Sequence, residues 1–262
     1  MKVFKIVLSA KKYFLESYSC YLNSRARRTL QKNYSLWRML DDYLTRSTSS
    51  GCAYSDYLVL YNHIRRTKPL EVLECGTGVS TIIMAYALME NEREGNPRGR
   101  IISMEESEKW HRLARELLPE ELKPYVEIIL SPPEEDYYAF FRGVRYARIP
   151  DRQYEFVFVD GPYSRSPKDG APIFDFDFIR VVERSKGSVC GIVDMRHSTC
   201  YVLQEVFGPQ KFKYDYARNL GFIGPVRKED MRDTGAIASS FVARPFRTYR
   251  FLKQELKNFL GS

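Results

Sequence analysis

The sequence predicts an α/β fold with a doubly wound, mostly parallel sheet, an antiparallel last strand and a helical N-terminal extension. Three observations lead to this fold class. Up to about residue 68, apolar residues recur at three- and four-residue steps, the period of amphipathic helices. Beyond Pro69, short apolar runs alternate with amphipathic helices, which is typical of parallel sheets covered on both faces. Several of these runs end in an acid, at the edge where such sheets bind ligands.

The helical extension is predicted to cover residues 1–68, followed by the α/β domain at 69–245 and a basic terminal helix at 246–262. In the first helix, one face carries Phe4, Val7, Phe14, Tyr18 and Tyr21. We expect this face to pack on the rest of the protein, because amphipathic helices usually cover a core. A peripheral helix on a membrane surface is the alternative, since lysines flank the face.

The elements of the α/β domain follow from the pattern of apolar residues. The helix expected at 80–91 is apolar nearly all round and should therefore be buried. In chain order the sequence predicts strand 70–74, helix 80–91, strand 99–105, helix 107–118, strand 125–130, strand 154–160, helix 176–184, strand 188–194, helix 199–207 and a closing antiparallel pair at 211–217 and 239–245.

The composition bounds the function classes. Hydrophobic residues make up 44% of the 262 residues, and no run approaches the ~18 apolar residues of a membrane span. Five cysteines occur without a CxxC pair, which argues against a structural zinc site and favours a reduced, cytoplasmic protein. The net charge of +8 allows an anionic partner such as nucleic acid. The oligomeric state does not follow from the sequence.

Acids stand at the ends of four predicted strands: Glu74, Glu105, Asp160 and Asp194. Because the carboxyl ends of parallel strands meet at one edge, we expect these acids to line a single ligand-binding rim.

The stretch EVLECGTGVST (71–81) predicts a glycine turn between a strand and a helix. Gly76 and Gly78 allow close backbone approach, but the third glycine of the dinucleotide fingerprint is replaced by Thr81. Glu74 would repel a pyrophosphate and attract a cation. S-adenosylmethionine carries a sulfonium and an ammonium and has no phosphate, so it suits this turn.

Glu105 lies 31 residues after Glu74, at the end of the next predicted strand. A carboxylate there can accept hydrogen bonds from both ribose hydroxyls. NAD enzymes use the same device, so Glu105 alone does not discriminate. Together with the acid that precedes the glycine turn, it predicts an adenosyl ligand without a pyrophosphate.

Three motifs, LECGTGVST, IISMEES and FVFVDGP, give the chain a resemblance to class I (Rossmann-like) S-adenosylmethionine-dependent methyltransferases, over about Leu70 to Asp194. The resemblance implies S-adenosylmethionine as cofactor and an adenine contact from the turn after the third strand. The cofactor-binding residues that it implies are Glu74, Gly76, Thr77, Gly78, Ser80, Thr81, Glu105, Ser131 and Asp160.

Asp160 is the first catalytic candidate, since the resemblance places it near the transferred methyl group. Some O-methyltransferases hold a divalent metal between acids in the positions of Asp160 and Asp194. The usual third ligand is replaced here by Met195, which argues against a dedicated metal site. The alternative is that Asp160 orients the substrate or cofactor directly.

His197 and Arg196 are the other catalytic candidates. A histidine has a pKa near neutrality and can act as a general base for a hydroxyl, although His197 is equally interpreted as a surface or helix-capping residue. Arg196 can bind an anionic substrate group or pair with Asp194.

The expected activity is O-methylation of a small molecule or sugar. DGPY (160–163) resembles the (D/N)PPY motif of methyltransferases that act on nucleic-acid bases, although Gly161 breaks the proline pair. A base methyltransferase is therefore one alternative, and a non-catalytic protein that binds an adenosyl ligand is another.

Overall fold

A computed structural model describes residues 2–47 and 52–242, with side chains described for 13–47 and 52–238. Its first three helices are α1 (Lys2–Leu30), α2 (Tyr34–Arg46) and α3 (Tyr54–Thr67), which confirms the predicted helical extension. None of the helices in the described residues combines the length and apolarity needed to cross a membrane. The basic terminal helix predicted at 246–262 lies outside the described residues.

The α/β domain follows directly after α3. Its elements in chain order are β1 (Glu71–Cys75), α4 (Val79–Arg93), β2 (Arg100–Glu105), α5 (Glu108–Leu117), β3 (Val126–Leu130), β4 (Pro133–Tyr138), β5 (Phe141–Tyr146), β6 (Phe156–Val159), β7 (Phe174–Asp175), α6 (Asp177–Arg184), β8 (Val189–Asp194), α7 (His197–Phe207), β9 (Phe212–Asp215), β10 (Leu220–Val226) and α8 (Thr234–Val242).

The main sheet has seven strands in the order β3-β2-β1-β6-β8-β10-β9. The five strands from β3 to β8 are parallel, and β10 runs antiparallel to both of its neighbours. The strand order switches between β1 and β6, where the direction of winding reverses. The predicted doubly wound sheet with an antiparallel last strand is confirmed.

The closing antiparallel pair was only half predicted. Its first strand, β9, lies within the predicted 211–217, but its partner is β10 and not 239–245. Residues 239–242 belong to α8, and 243–245 lie outside the described residues. The prediction missed β10 because Gly224 and Pro225 weaken its strand pattern. Both residues fall where the register between β10 and β8 shifts, which is where sheets tolerate them.

A second sheet, β4-β5-β7, stands where the sequence predicted only a turn after the third strand. Acids and proline are poor strand formers, which hid β4. Tertiary ion pairs stabilise it instead. Asp136 of β4 contacts Arg180 of α6 at 2.5 Å and Arg145 of β5 at 3.1 Å. Opposite charges on paired strands and on a covering helix therefore fix a hairpin that local propensity does not favour.

Helices cover the main sheet on both faces. On one face α4 lies between the sheet and the extension, because α2 and α3 pack on its outer side. The prediction that α4 is buried nearly all round is confirmed, since its residues from Val79 to Met89 are all buried. On the other face, α6 and α7 close a second core. The helical extension is thus packed on the α/β domain through α4.

Candidate functional site

The carboxyl ends of β1, β2, β6 and β8 form one edge of the main sheet, here called the rim. Backbone hydrogen bonds align it. The Gly76 amide donates to the Met104 carbonyl at 3.0 Å, and the Asp160 amide donates to the Cys75 carbonyl at 2.8 Å. Val159 also pairs with Val193. Glu105, Asp160 and Asp194 therefore stand side by side at the rim, with the glycine turn between the first two.

Glu74 differs from this expectation, because β1 extends through Cys75 and turns the Glu74 side chain towards α4. The carboxylate is fully buried and does not open onto the rim. Its oxygens accept hydrogen bonds from the hydroxyls of Ser80 (2.6 Å), Thr81 (2.5 Å) and Ser103 (2.6 Å). Burial raises its pKa to about 7 against the effect of these hydroxyls. Glu74 thus joins β1, β2 and α4 beneath the glycine turn.

Thr81 explains why the dinucleotide fingerprint is incomplete. Its hydroxyl donates to Glu74 and accepts the Gly78 amide at 3.0 Å, so a single side chain caps the start of α4 and holds the buried acid. A glycine at this position could do neither. Thr77 lies 3.3 Å from Thr81, measured between the two hydroxyl oxygens. The turn is therefore shaped before any ligand binds.

Gly76 and Gly78 have different roles in the turn. Gly76 has φ +99°, and a Cβ there would lie 3.1 Å from the Asp160 carbonyl carbon. Its lack of a side chain lets the β1 and β6 loops touch. A Cβ on Gly78 would meet no atom within 4 Å. Open space for a ligand therefore lies on the Gly78 side of the turn.

Glu105 is nearly buried at the end of β2, and the local backbone holds its carboxylate. Oε1 accepts the amides of Glu106 (3.0 Å) and Ser107 (2.8 Å). Burial raises the pKa of Glu105 above its usual value, while these two amides oppose the rise. The carboxylate is consequently fixed beside the glycine turn, where the prediction of a ribose contact requires it.

Ser131 follows β3 directly and stands beside Glu105. It is fully buried, its amide donates to the Glu105 carbonyl at 2.8 Å, and its hydroxyl accepts the Arg148 amide at 3.0 Å. The structure thus assigns Ser131 to the junction between β3 and the segment after β5. That Ser131 contacts adenine stays a prediction.

Asp160 and Asp194 meet a residue that the sequence analysis did not single out, Cys52. One potential ligand atom from each of the three lies within 4.8 Å of the other two. The Cys52 thiol is 3.6 Å from Asp160 Oδ2, to which it donates. Cys52 lies two residues before the start of α3, so the extension reaches the rim. A lone cysteine after a polar break carries no sequence pattern that could have revealed this contact.

Asp194 is the buried member of this cluster. Among the described residues, its Oδ1 has no hydrogen-bond partner. Burial raises its pKa to about 7, and the neighbouring charges of Asp160 and Asp56 add to the rise. Asp160 is open to solvent at its outer edge, yet desolvation raises its pKa as well, opposed by Arg196. An unsatisfied buried acceptor beside a second carboxylate is suited to a donor from a bound molecule.

The guanidinium group of Arg196 forms hydrogen bonds within the protein. Its Nη1 donates to Asp175 Oδ2 at 2.9 Å and to the Pro162 carbonyl at 2.7 Å, and it also contacts Ser164. Its Nη2 donates to the Asp160 carbonyl. The alternative pairing with Asp194 is therefore replaced by pairing with buried Asp175. Arg196 fixes the loop that presents Asp160.

His197 is the first residue of α7 and is exposed, with its ring 5.2 Å from that of Tyr214. It stands three residues after Asp194, on the side of the rim that faces the end of β9. Its role as a general base stays a prediction.

Residues 73–189 match a family model described as a methyltransferase domain, and the match spans the glycine turn, Glu105 and Asp160. This segment, called the methyltransferase domain below after that description, is consistent with the resemblance that the sequence motifs indicate. No protein of curated function matches the sequence.

Solved structures similar to the methyltransferase domain come from several organisms. The O-methyltransferase from Bacillus cereus, in complex with S-adenosylhomocysteine, is 15% identical, with 72% of this chain and 89% of that chain covered at a TM-score of 0.47. The O-methyltransferase of tomaymycin synthesis from Streptomyces achromogenes, in complex with S-adenosylmethionine, is 18% identical over 70% and 72% of the chains, with a TM-score of 0.41. A methyltransferase from Podospora anserina, bound to S-adenosylhomocysteine, is 15% identical over 81% and 78%, with a TM-score of 0.44.

Large side chains stand exposed on the loops that leave the rim of the methyltransferase domain. Tyr163 follows β6, Met195 follows β8 and Tyr216 follows β9. Met195 adopts φ +48°, which turns the residue after Asp194 outwards. The acids of the rim are therefore bordered by surfaces that a flat, partly apolar molecule can contact.

Proposed function

We propose that this enzyme transfers the methyl group of S-adenosylmethionine to a hydroxyl oxygen of a small acceptor molecule. The observation that supports this most directly is Asp194 Oδ1, a buried acceptor without a described partner, next to the carboxylate of Asp160. A hydroxyl placed between the two acids would supply the missing donor. The acceptor oxygen would then face the ligand space beside Gly78.

In the proposed reaction the acceptor oxygen attacks the methyl carbon in line with the carbon–sulfur bond. That bond breaks, its electron pair stays on sulfur, and S-adenosylhomocysteine leaves. The hydroxyl proton passes to the carboxylate pair. Such a transfer depends mainly on proximity and orientation, which the aligned rim and the Arg196 network would supply.

The donor would occupy the space between the glycine turn and Glu105. Its methionine part would follow Gly76, Thr77 and Gly78, and its ribose would donate to Glu105, whose Oε1 is already fixed by backbone amides. Glu74 would contribute through Thr81, by holding the turn from below.

The steric role of Gly161 favours a small acceptor over a nucleic-acid base. A Cβ at this position would lie 2.9 Å from Gly76 Cα, so the glycine serves the contact between two rim loops. The packing of the fold therefore accounts for glycine where the (D/N)PPY motif has proline. The exposed Tyr163, Met195 and Tyr216 support an acceptor with a flat apolar part. The five cysteines are all free, which favours the cytoplasm.

The test compares methyl transfer to three panels of acceptors: phenols and alcohols, amines, and oligonucleotides. Methylation of hydroxyl compounds that falls strongly in Asp194→Asn supports the proposal. Transfer to oligonucleotides alone would replace it with base methylation. Binding of S-adenosylmethionine without transfer to any panel would favour the non-catalytic alternative.

A divalent cation is a second candidate ligand of the rim, favoured by the cluster of Cys52, Asp160 and Asp194. Two carboxylates and one thiol can hold a transition metal such as zinc. A bound cation would lower the pKa of an acceptor hydroxyl. Calorimetric titration of the protein with zinc, manganese and magnesium, repeated on Cys52→Ser, tests this assignment. If the wild type gives no heat of binding, the rim does not bind a cation. If Cys52→Ser binds the cation as the wild type does, Cys52 is not one of its ligands.

A further inference from the structure

Helix α1 presents an aromatic surface that is exposed in the part of the chain that the structure describes. Its C-terminal half buries Leu22, Ala26 and Leu30 against the other helices of the extension. Phe14, Tyr18 and Tyr21 are instead 68%, 44% and 52% exposed. The helix thus packs on the rest of the protein as expected, but through a different face from the aromatic one; the side chains of Phe4 and Val7 lie outside the described residues.

The aromatic rings form one ordered row. Phe14 stacks on Tyr18 with 6.3 Å between ring centroids and 7° between planes, and Tyr18 stacks on Tyr21 at 6.3 Å and 20°. Rings arranged in this way make one edge of the helix largely apolar, and two of the three rings carry a hydroxyl. Tyrosine favours the boundary between water and lipid for the same reason.

Two arginines continue the same row. Steps of four, three, four and three residues lead from Phe14 through Tyr18 and Tyr21 to Arg25 and Arg28, and such steps keep residues on one face of a helix. Both arginines are exposed. We call this set of residues the aromatic–arginine face. Glu16 is two residues from Phe14, so helical geometry places it about 200° away.

The charge of the chain is concentrated in this helix. The first 30 residues contain seven basic residues and one acid, a net charge of +6, against +8 for the whole chain. The basic residues are Lys2, Lys5, Lys11, Lys12, Arg25, Arg27 and Arg28. The remaining 232 residues (262 minus 30) therefore carry a net charge of only +2 (8 minus 6).

We propose that the aromatic–arginine face of α1 binds the surface of an anionic lipid bilayer. The helix lies along the interface, the aromatic rings enter the boundary region, and the arginines meet lipid phosphates. Anionic lipid is favoured over a second copy of the chain, because pairing two such faces would bring like charges together. The proposal concerns where the enzyme acts and is independent of its acceptor.

The experiment is co-sedimentation of the full chain with vesicles of phosphatidylcholine alone and of phosphatidylcholine mixed with phosphatidylserine. One variant carries Phe14→Ser, Tyr18→Ser and Tyr21→Ser, and a second carries Arg25→Gln and Arg28→Gln. The matched control changes exposed aromatic residues of the β4–β5 hairpin, Tyr137→Ser and Phe140→Ser. Circular dichroism verifies that every variant is folded.

The wild type and the control should bind the mixed vesicles and bind neutral vesicles weakly. Loss of both arginines should lower partitioning by about tenfold or more, since each is worth about 1 kcal/mol near an anionic surface. The aromatic variant should lose binding to a similar extent, and added salt should weaken the wild type.

Three results would overturn the proposal. The first is equal binding of wild type and both variants. The second is a wild type that stays off vesicles but dimerises in sedimentation equilibrium, with the aromatic variant monomeric; a second copy then covers the face. The third is binding to a single-stranded oligonucleotide, lost in both variants, without binding to vesicles.

Discussion

Gly76 and Gly161 touch backbone to backbone, and neither position has room for a side chain. A Cβ on Gly161 would lie 2.9 Å from Gly76 Cα and 2.5 Å from the Tyr146 hydroxyl. A Cβ on Gly76 would lie 3.1 Å from the Gly161 amide nitrogen. This contact joins the turn after β1 to the loop after β6, so it couples the proposed donor site to Asp160.

Gly161→Ala should destabilise the fold, because the added methyl group forces two rim loops apart. Overpacking of this kind costs about 1–3 kcal/mol, measured as a lower free energy of unfolding in urea. Gly187→Ala is the matched control, since a Cβ there meets no atom within 4 Å. The control should change stability by less than about 0.5 kcal/mol. Equal stability of Gly161→Ala and wild type would show that the loops adapt.

Arg196→Lys should lower both stability and turnover, because lysine cannot donate to Asp175, Pro162 and Asp160 at once. The lost hydrogen bonds predict a destabilisation of about 1–3 kcal/mol, measured by urea unfolding. The double variant with Asp175→Asn should be less destabilised than the sum of the single changes. A raised KM for the acceptor with unchanged stability would instead assign Arg196 to substrate binding.

Glu74 should make the fold less stable as pH rises from about 5 to 7. Its pKa is about 7 in the folded protein, against 4.5 as the ordinary value. Between these values the unfolded chain releases a proton that the folded protein keeps. The stability that this proton provides is full below pH 4.5 and is lost on the way to pH 7, up to about 3 kcal/mol.

The measurement is urea unfolding of wild type and Glu74→Gln at a series of pH values. The glutamine side chain has no charge to bury, so the stability of wild type relative to this variant should fall as pH rises. A constant difference between the two proteins would show that Glu74 stays ionised on its three hydroxyl donors.

His63 should have the opposite effect. Its ring lies 4.3 Å from that of Phe156, at the end of β6 away from the rim, and burial lowers its pKa to about 4, with Arg66 adding to the shift. The unfolded chain takes up a proton that the folded protein resists. Stability is therefore full above pH 6.5 and is lost as pH falls towards 4, by roughly 2–3 kcal/mol.

His63→Phe keeps an aromatic ring without a titrating group, so it should remove this acid sensitivity in urea unfolding. Since the effects of Glu74 and His63 oppose each other between about pH 4.5 and 6.5, each single variant should show a steeper profile than wild type. Identical profiles for His63→Phe and wild type would contradict the assignment.

The parallel strands could be predicted because a strand buried on both faces is an apolar run, as in Phe156–Val159. The β4–β5 hairpin could not, since ion pairs such as Asp136 with Arg180 hold it, and these partners are 44 residues apart. Local propensity contains no trace of contacts at that separation.

In the candidate site, too, some residues could be predicted from the sequence and others could not. The acids Glu105, Asp160 and Asp194 were predicted because strand ends place them, and backbone register carried them to one rim. Cys52 was not, because it meets Asp160 across 108 residues. The structural roles of Glu74 and Arg196 could not be predicted either, because they depend on tertiary packing. Glu74 turns inwards because β1 ends one residue later than expected, at Cys75, and Arg196 turns towards Asp175, which no motif marks.

Glu105 and Asp194 should separate donor binding from turnover. Glu105→Gln loses the charge that we propose accepts the ribose hydroxyls. Hydrogen bonds to a charged group are worth about 1.5–3 kcal/mol, so the affinity for S-adenosylhomocysteine should fall about tenfold or more. Asp194→Asn should keep that affinity and lower turnover at saturating donor. Calorimetry and initial rates measure the two quantities, with exposed Glu108→Gln as the control. If Asp194→Asn weakened donor binding as much as Glu105→Gln does, Asp194 would belong to the cofactor site.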